Sequence, residues 1–205
     1  MGILHNLTRK PWLASQGEID NRVGGGTFAL PTEKVGLRVF LFPISSLFLL
    51  FFIAYFMRRT FGDWLPLHDP GVLWANTGIL ILSSIAMQLS RVNARRKNLY
   101  GTKTYLMFGG VFAFAFLAGQ LLAWRQLAEM GYFADTNPAN AFFYLFTALH
   151  GVHLLGGLVA WGRTILKIRR GGEMERVRLS VELCSVYWHY LLVVWVIMFS
   201  LLLAT

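Results

Sequence analysis

Residues 141–162 read AFFYLFTALHGVHLLGGLVAWG, and residues 180–204 read SVELCSVYWHYLLVVWVIMFSLLLA. The basic connector RTILKIRRGGEMERVR, residues 163–178, lies between them. Each apolar stretch supplies the roughly 20 residues that a helix needs to cross a bilayer. Together they carry three of the chain's five histidines, His150, His153 and His189, and the acid Glu182. Ionisable groups at membrane depth are costly and turn toward protein or water, so function is sought here first.

The pattern extends outward from this pair. Of 205 residues, 56% are hydrophobic and 14% charged, against about 25% charged in a soluble domain. The apolar residues come in blocks, which predicts an all-α polytopic membrane bundle of five transmembrane helices. The spans are placed at about 34–57, 71–90, 104–124, 138–162 and 180–204, forming one domain over 34–205. Pro43 is expected to bend the first. Pro138 suits the first turn of the fourth, with Thr136 or Asn137 as its cap. Residues 1–33 are polar, with Gly24, Gly25, Gly26, Pro11 and Pro31, and lack the apolar core of a cleavable signal peptide. They read as a flexible cytoplasmic tail. Asp63, His68 and Asp69 fall in the loop before the second span.

The net charge of +9 raises nucleic acid as a partner, but the placement of the cations argues for topology instead. Arg9, Lys10, Arg22, Lys34 and Arg38 precede or open the first span. Arg91, Arg95, Arg96, Lys97 and Lys103 lie between the second and third. Arg163, Lys167, Arg169, Arg170, Arg176 and Arg178 lie between the fourth and fifth. The other side holds Arg58, Arg59 and Arg125. By the positive-inside rule the N-terminus is cytoplasmic and the C-terminus outside. The single cysteine, Cys184, has no partner for an intrachain disulfide or a CxxC pair and reads as a small buried side chain.

Gly109 with Ala113, Ala115 with Gly119, and Gly151, Gly156 and Gly157 offer places where helices approach closely. Trp64, Trp74, Trp124 and Tyr132, near span ends, fit interfacial belts. His150 and His153, three apart, sit roughly 60° apart round the fourth span, and Glu182 and His189 share a face of the fifth about 10 Å apart along its axis. Two uses of these residues are open. One is a metal or haem site built from the histidines, which lacks an HExxH motif and a carboxylate at their depth. The other is a set of interhelical hydrogen bonds joining the fourth and fifth spans. Asn76, Gln88 and Gln120 also lie inside spans, where amides pair with neighbouring helices. There is no proton relay, internal repeat, phosphate-cradling loop or nucleophile–base pattern.

Two segments carry a resemblance. YLFTALHGVHLLGG (Tyr144–Gly157) resembles the "TGxHGxHVxxG" signature of subunit III of the haem–copper respiratory oxidases, and VELCSVYWHYLLVVW (Val181–Trp195) resembles its "E-x4-YWHFVDVVW". FLAGQLLAWRQL and NTGILILSS resemble further segments of the five-helix bacterial form, and the likeness covers residues 34–204. The chain departs from that family where it often has acids: Ser46 stands in LFPISSLFLLFF, Leu192 in the last motif, and Ala123 follows Gln120 in the third span.

The resemblance implies a non-redox accessory subunit of a bacterial cytochrome c or quinol oxidase in the inner membrane. It would pack on subunit I beside subunit II and other subunits, hold phospholipid, shield the oxygen-access side and steady oxygen reduction coupled to proton translocation. Haem and copper would be in those partners and none in this chain. His150, His153, Glu182, Trp188, His189 and Gln120 would form an interhelix or lipid-facing polar cluster. An accessory subunit of a nitric oxide reductase is the alternative, and an independent metal enzyme using the three histidines the third reading.

Overall fold

The computed structural model describes residues 32–62, 64–65 and 71–204. Residues 1–31 of the expected tail and the loop residues Asp63, His68 and Asp69 lie outside them, while residues 32 and 33 already belong to the first helix. Two units are distinguished. The described part of the first, up to Leu41, is the opening of a helix, and the second runs from Phe42 onward.

The described residues form five helices, all long and apolar enough to span a membrane: α1 (Thr32–Arg59), α2 (Val72–Arg95), α3 (Leu99–Glu129), α4 (Pro138–Arg169) and α5 (Met174–Leu203). A helix satisfies every interior backbone group within its own segment, which is what an apolar run in lipid requires. α1 and α3 outrun the expected spans at both ends, α2 and α4 at the C-terminal end and α5 at the N-terminal end, because flanks such as Leu99–Lys103 and Arg163–Arg169 continue the helical turn. α1 passes unbroken through Pro43. Pro138 occupies the first turn of α4, and the Asn137 side chain caps it by accepting from the Ala139 amide at 3.2 Å. Asn98 does the same for α3, accepting from the Gly101 amide at 3.0 Å. Gly171, at φ 69°, closes α4 in a left-handed turn that a side chain would strain.

Cross-helix bonds fix the directions. Going down α2 from Ser90 through Ser83 to Asn76, the partners on α3 climb from Thr102 through Gly109 to Gln120, so the two are antiparallel. α2 and α5 are antiparallel by the same logic, Gln88 meeting Ser185 and Thr77 meeting Trp195. α3 and α4 (Trp124 with Thr147, Trp161 with Leu106), and α4 and α5 (Lys167 with Ser180, His153 with Tyr187), are antiparallel too. From Phe42 on, α1 runs parallel to α5, with Ser45 facing Tyr190 and Tyr55 facing Leu201. The α2–α3 and α4–α5 turns therefore lie at one end, together with Arg91, Arg95, Lys97 and Lys167. At the other end Asn137 clasps the Leu65 backbone, its amide donating to the carbonyl at 2.6 Å.

The core is built from Leu80, Met87, Leu106, Phe116, Leu154, Trp188 and Trp195, all buried. α1 is held through aromatic side chains: Phe48 lies on the His153 ring, and Tyr55 touches Trp64, Phe142 and Phe146. Gly157 lets α5 come close, since a Cβ there would stand 2.9 Å from the Tyr187 ring and 3.1 Å from Trp188. Gly156, by contrast, faces open space.

Candidate functional site

The candidate residues fall into three groups rather than one cluster. At the cation-rich end, about two turns inside α5, Glu182 Oε1 accepts from Arg91 Nη2 at 2.9 Å and Arg95 Nη2 at 3.3 Å. Arg91 and Arg95 are one helical turn apart, so α2 presents both guanidinium groups on the face that meets α5. The Glu182 and Arg91 side chains are 14% and 24% exposed and Arg95 is 52% exposed. The buried Nε of Arg91 has no partner among the described residues.

Trp188 builds the second group. Its indole donates to Ser83 Oγ at 2.9 Å, and Ser83 in turn donates to the Gly109 carbonyl at 2.7 Å. One buried chain of bonds thus joins α5, α2 and α3. About two turns further along α5, Trp195 Nε1 donates to Thr77 Oγ1 at 3.0 Å, and Trp124 and Trp161 tie α3 to α4 through Thr147 and the Leu106 carbonyl. Trp124, expected at a membrane interface, serves here to join two helices. Gln120 accepts from the Asn76 amide at 3.4 Å, while Gln120 Nε2 and Asn76 Oδ1 are buried without partners among the described residues.

The histidines form the third group, and their geometry differs from the expected ties between the fourth and fifth spans. His153 Nδ1 donates to the Leu149 carbonyl at 2.7 Å and His189 Nδ1 to the Ser185 carbonyl at 2.6 Å, each along its own helix. A carbonyl four residues back is the nearest acceptor for a short side chain in an apolar helix, and it wins over a distant partner. His150 is fully buried with neither ring nitrogen partnered among the described residues, packed between Phe116 at 5.7 Å and Trp195 at 5.2 Å. The tie between α4 and α5 near His153 is made by its backbone, whose carbonyl accepts from Tyr187 at 3.0 Å. Among the described residues no group of three or more His, Cys, Asp and Glu could hold a metal ion. Cys184 is buried beside Thr164 Oγ1 at 3.5 Å. Ser46 turns its hydroxyl onto the Phe42 carbonyl of its own helix at 3.1 Å.

Sequence reasoning missed Arg91 and Arg95 as partners of Glu182, and Ser83 and Thr77 as acceptors for tryptophans. A signal existed for the first: two arginines a turn apart at one end of α2, and Glu182 about two turns inside α5 at the same end. For the second there was none, since a serine in an apolar run points wherever the helix is rotated.

The fold and these seams define a multi-pass membrane protein of five helices, joined in part by polar side chains such as Trp188, Ser83, Trp195 and Glu182. No protein-family model matches the chain. Over 175 residues it is 33% identical to cytochrome c oxidase subunit 3 of Synechocystis sp., covering 81% of this chain and 72% of that protein. It is 31% identical over 173 residues to the cytochrome c oxidase subunit 3 of Thermostichus vulcanus, covering 82% and 85%. With the probable cytochrome c oxidase subunit 3 of Mycobacterium tuberculosis it shares 28% over 176 residues, covering 82% and 86%. The chain belongs to the cytochrome c oxidase subunit 3 family of the haem–copper oxidases.

Proposed function

We propose that the chain is the non-redox accessory subunit of a haem–copper terminal oxidase in a bacterial inner membrane. It packs on the subunit that carries haem and copper, with subunit II and others alongside, and steadies oxygen reduction and the proton translocation coupled to it. The observation that carries this reading is the Trp188–Ser83–Gly109 chain. There the tryptophan of the family-like YWH segment serves to lock three helices together. The cation-rich end faces the cytoplasm, because cytoplasmic turns hold the excess of Lys and Arg. A shallow groove on α3 supports a role in holding phospholipid: Lys103 lies at its headgroup end, and Met107, Phe108 and Val111 line it toward the acyl chains.

The test is to purify the complex through a tag on this chain. The intact complex is expected to show the oxidase haem spectrum, and the chain separated from it no haem, copper or iron. A stoichiometric metal or a Soret band on the separated chain would overturn the proposal and favour the three-histidine enzyme. The neutral Ser46 and Leu192, where the family often has acids, favour a second reading: an accessory subunit of a nitric oxide reductase. Reduction of nitric oxide by the purified complex, without reduction of oxygen, would establish it.

A further inference from the structure

His189 lies halfway along the thirty-residue α5, yet its side chain is on the exposed face of the bundle. One turn nearer the cation-rich end, Gln88 of α2 is exposed as well, its Oε1 accepting from Ser185 Oγ at 3.4 Å. Ser185 is the same residue whose carbonyl holds His189 Nδ1. The two polar groups therefore form one outward patch on the α2–α5 seam, about 6 Å apart along the axis. Exposed Ile81 and Ile85 on α2 and Val186, Val193 and Val196 on α5 surround it.

Lipid is a poor neighbour for this patch. Each end of α5 is roughly 20 Å from His189, too far for an imidazole to reach the headgroups. A carbonyl can only accept, so His189 Nδ1 carries a proton, and in that Nδ1–H tautomer Nε2 is an outward acceptor. The Gln88 amide offers two N–H donors beside it. Groups of this kind at mid-depth face protein or water, and an apolar rim excludes water.

We propose that the outward α2–α5 seam, centred on His189 and Gln88, is the docking face for a transmembrane helix of another oxidase subunit. That helix presents a side-chain donor to His189 Nε2 and, one turn nearer the cation-rich end, an acceptor to the Gln88 amide. The proposal rests on the reading of this chain as an oxidase subunit. It adds which face meets the partner and by what chemistry.

The experiment uses the whole tagged complex with a benzophenone amino acid in place of Val193, beside His189. The control places it at Val159, which is equally exposed on α4 (57% against 58%). Irradiation is expected to join position 193, and not 159, to a membrane segment of a different polypeptide of the complex. An adduct with a second copy of this chain, an adduct with lipid alone, no adduct, or equal yield from both positions would overturn the proposal. His189→Leu is expected to lower retention of this chain per haem about threefold in detergent, and His189→Gln, which keeps an acceptor, to preserve it. Equal retention of the two variants would also overturn it. The optical spectrum of the unmodified complex separates the two levels. No haem overturns the oxidase reading and the docking proposal with it; normal haem with no adduct at 193 overturns the docking face alone.

Discussion

Glu182 draws two guanidinium groups onto one oxygen, and their exposures rank them. Arg91, 24% exposed, makes the shorter bond, while Arg95 is 52% exposed and screened by solvent. Arg91→Ala is expected to cost about 1.5–3 kcal/mol of stability, the range for a hydrogen bond to a charged group. Arg95→Ala is expected to cost about 1 kcal/mol or less. Thermal dissociation of the purified complex, followed by loss of this chain, measures both; the reverse order would contradict the geometry. His150 invites the opposite experiment. Its imidazole sits between Phe116 and Trp195 with no polar partner among the described residues. His150→Phe keeps the shape of the ring and removes two buried polar atoms, so it is expected to change stability by less than about 1.5 kcal/mol. The haem content of the complex, read by its spectrum, is expected to stay unchanged; loss of a bound metal from this chain would show that His150 had been a ligand.

At the scale of helices, adjacent glycines separate structural roles that look identical in sequence. Gly157 is where α4 meets α5, whereas Gly156 faces open space. Gly157→Leu must displace the Tyr187 and Trp188 rings, the second of which is part of the bond chain through Ser83. An overpacked contact of this kind costs about 1–3 kcal/mol. Gly156→Leu is expected to be close to neutral, or better by the helix propensity of leucine. The midpoint of thermal aggregation for the two variants is the measurement, and equal midpoints would refute the contact. Indole donors span two seams, α2–α5 and α3–α4. A tryptophan suits this work because it fills space between helices and still delivers one N–H to a hydroxyl or carbonyl.

For the whole molecule, the paired turns after α2 and α4 gather the cations at one end, and the turn after α3 clasps Leu65 at the other. The proposed orientation predicts opposite labelling of those ends in intact cells. A cysteine at Phe133→Cys is expected to react with a membrane-impermeant maleimide from outside. One at Lys97→Cys is expected to react only after permeabilisation. The native Cys184 is buried and gives a low background. Labelling in the reverse sense would invert the topology and remove the cytoplasmic assignment of the cation-rich end.

The amino-acid sequence alone determined five apolar spans, an all-α class and the family, because apolar length is a local property and a helix meets its backbone hydrogen bonds within its own segment. It also marked Pro138 as the first turn of α4 with Thr136 or Asn137 as its cap, of which the structure takes Asn137, since cap and first turn involve neighbours in the chain. Only the tertiary structure decided where polar side chains spend their bonds. Glu182 goes to Arg91 and Arg95, Trp188 to Ser83, and His153 and His189 to their own helices. It also put His189 on the surface and Gly156 in open space. Those outcomes depend on the rotation and register of each helix against its neighbours, which packing sets and a run of apolar residues leaves open.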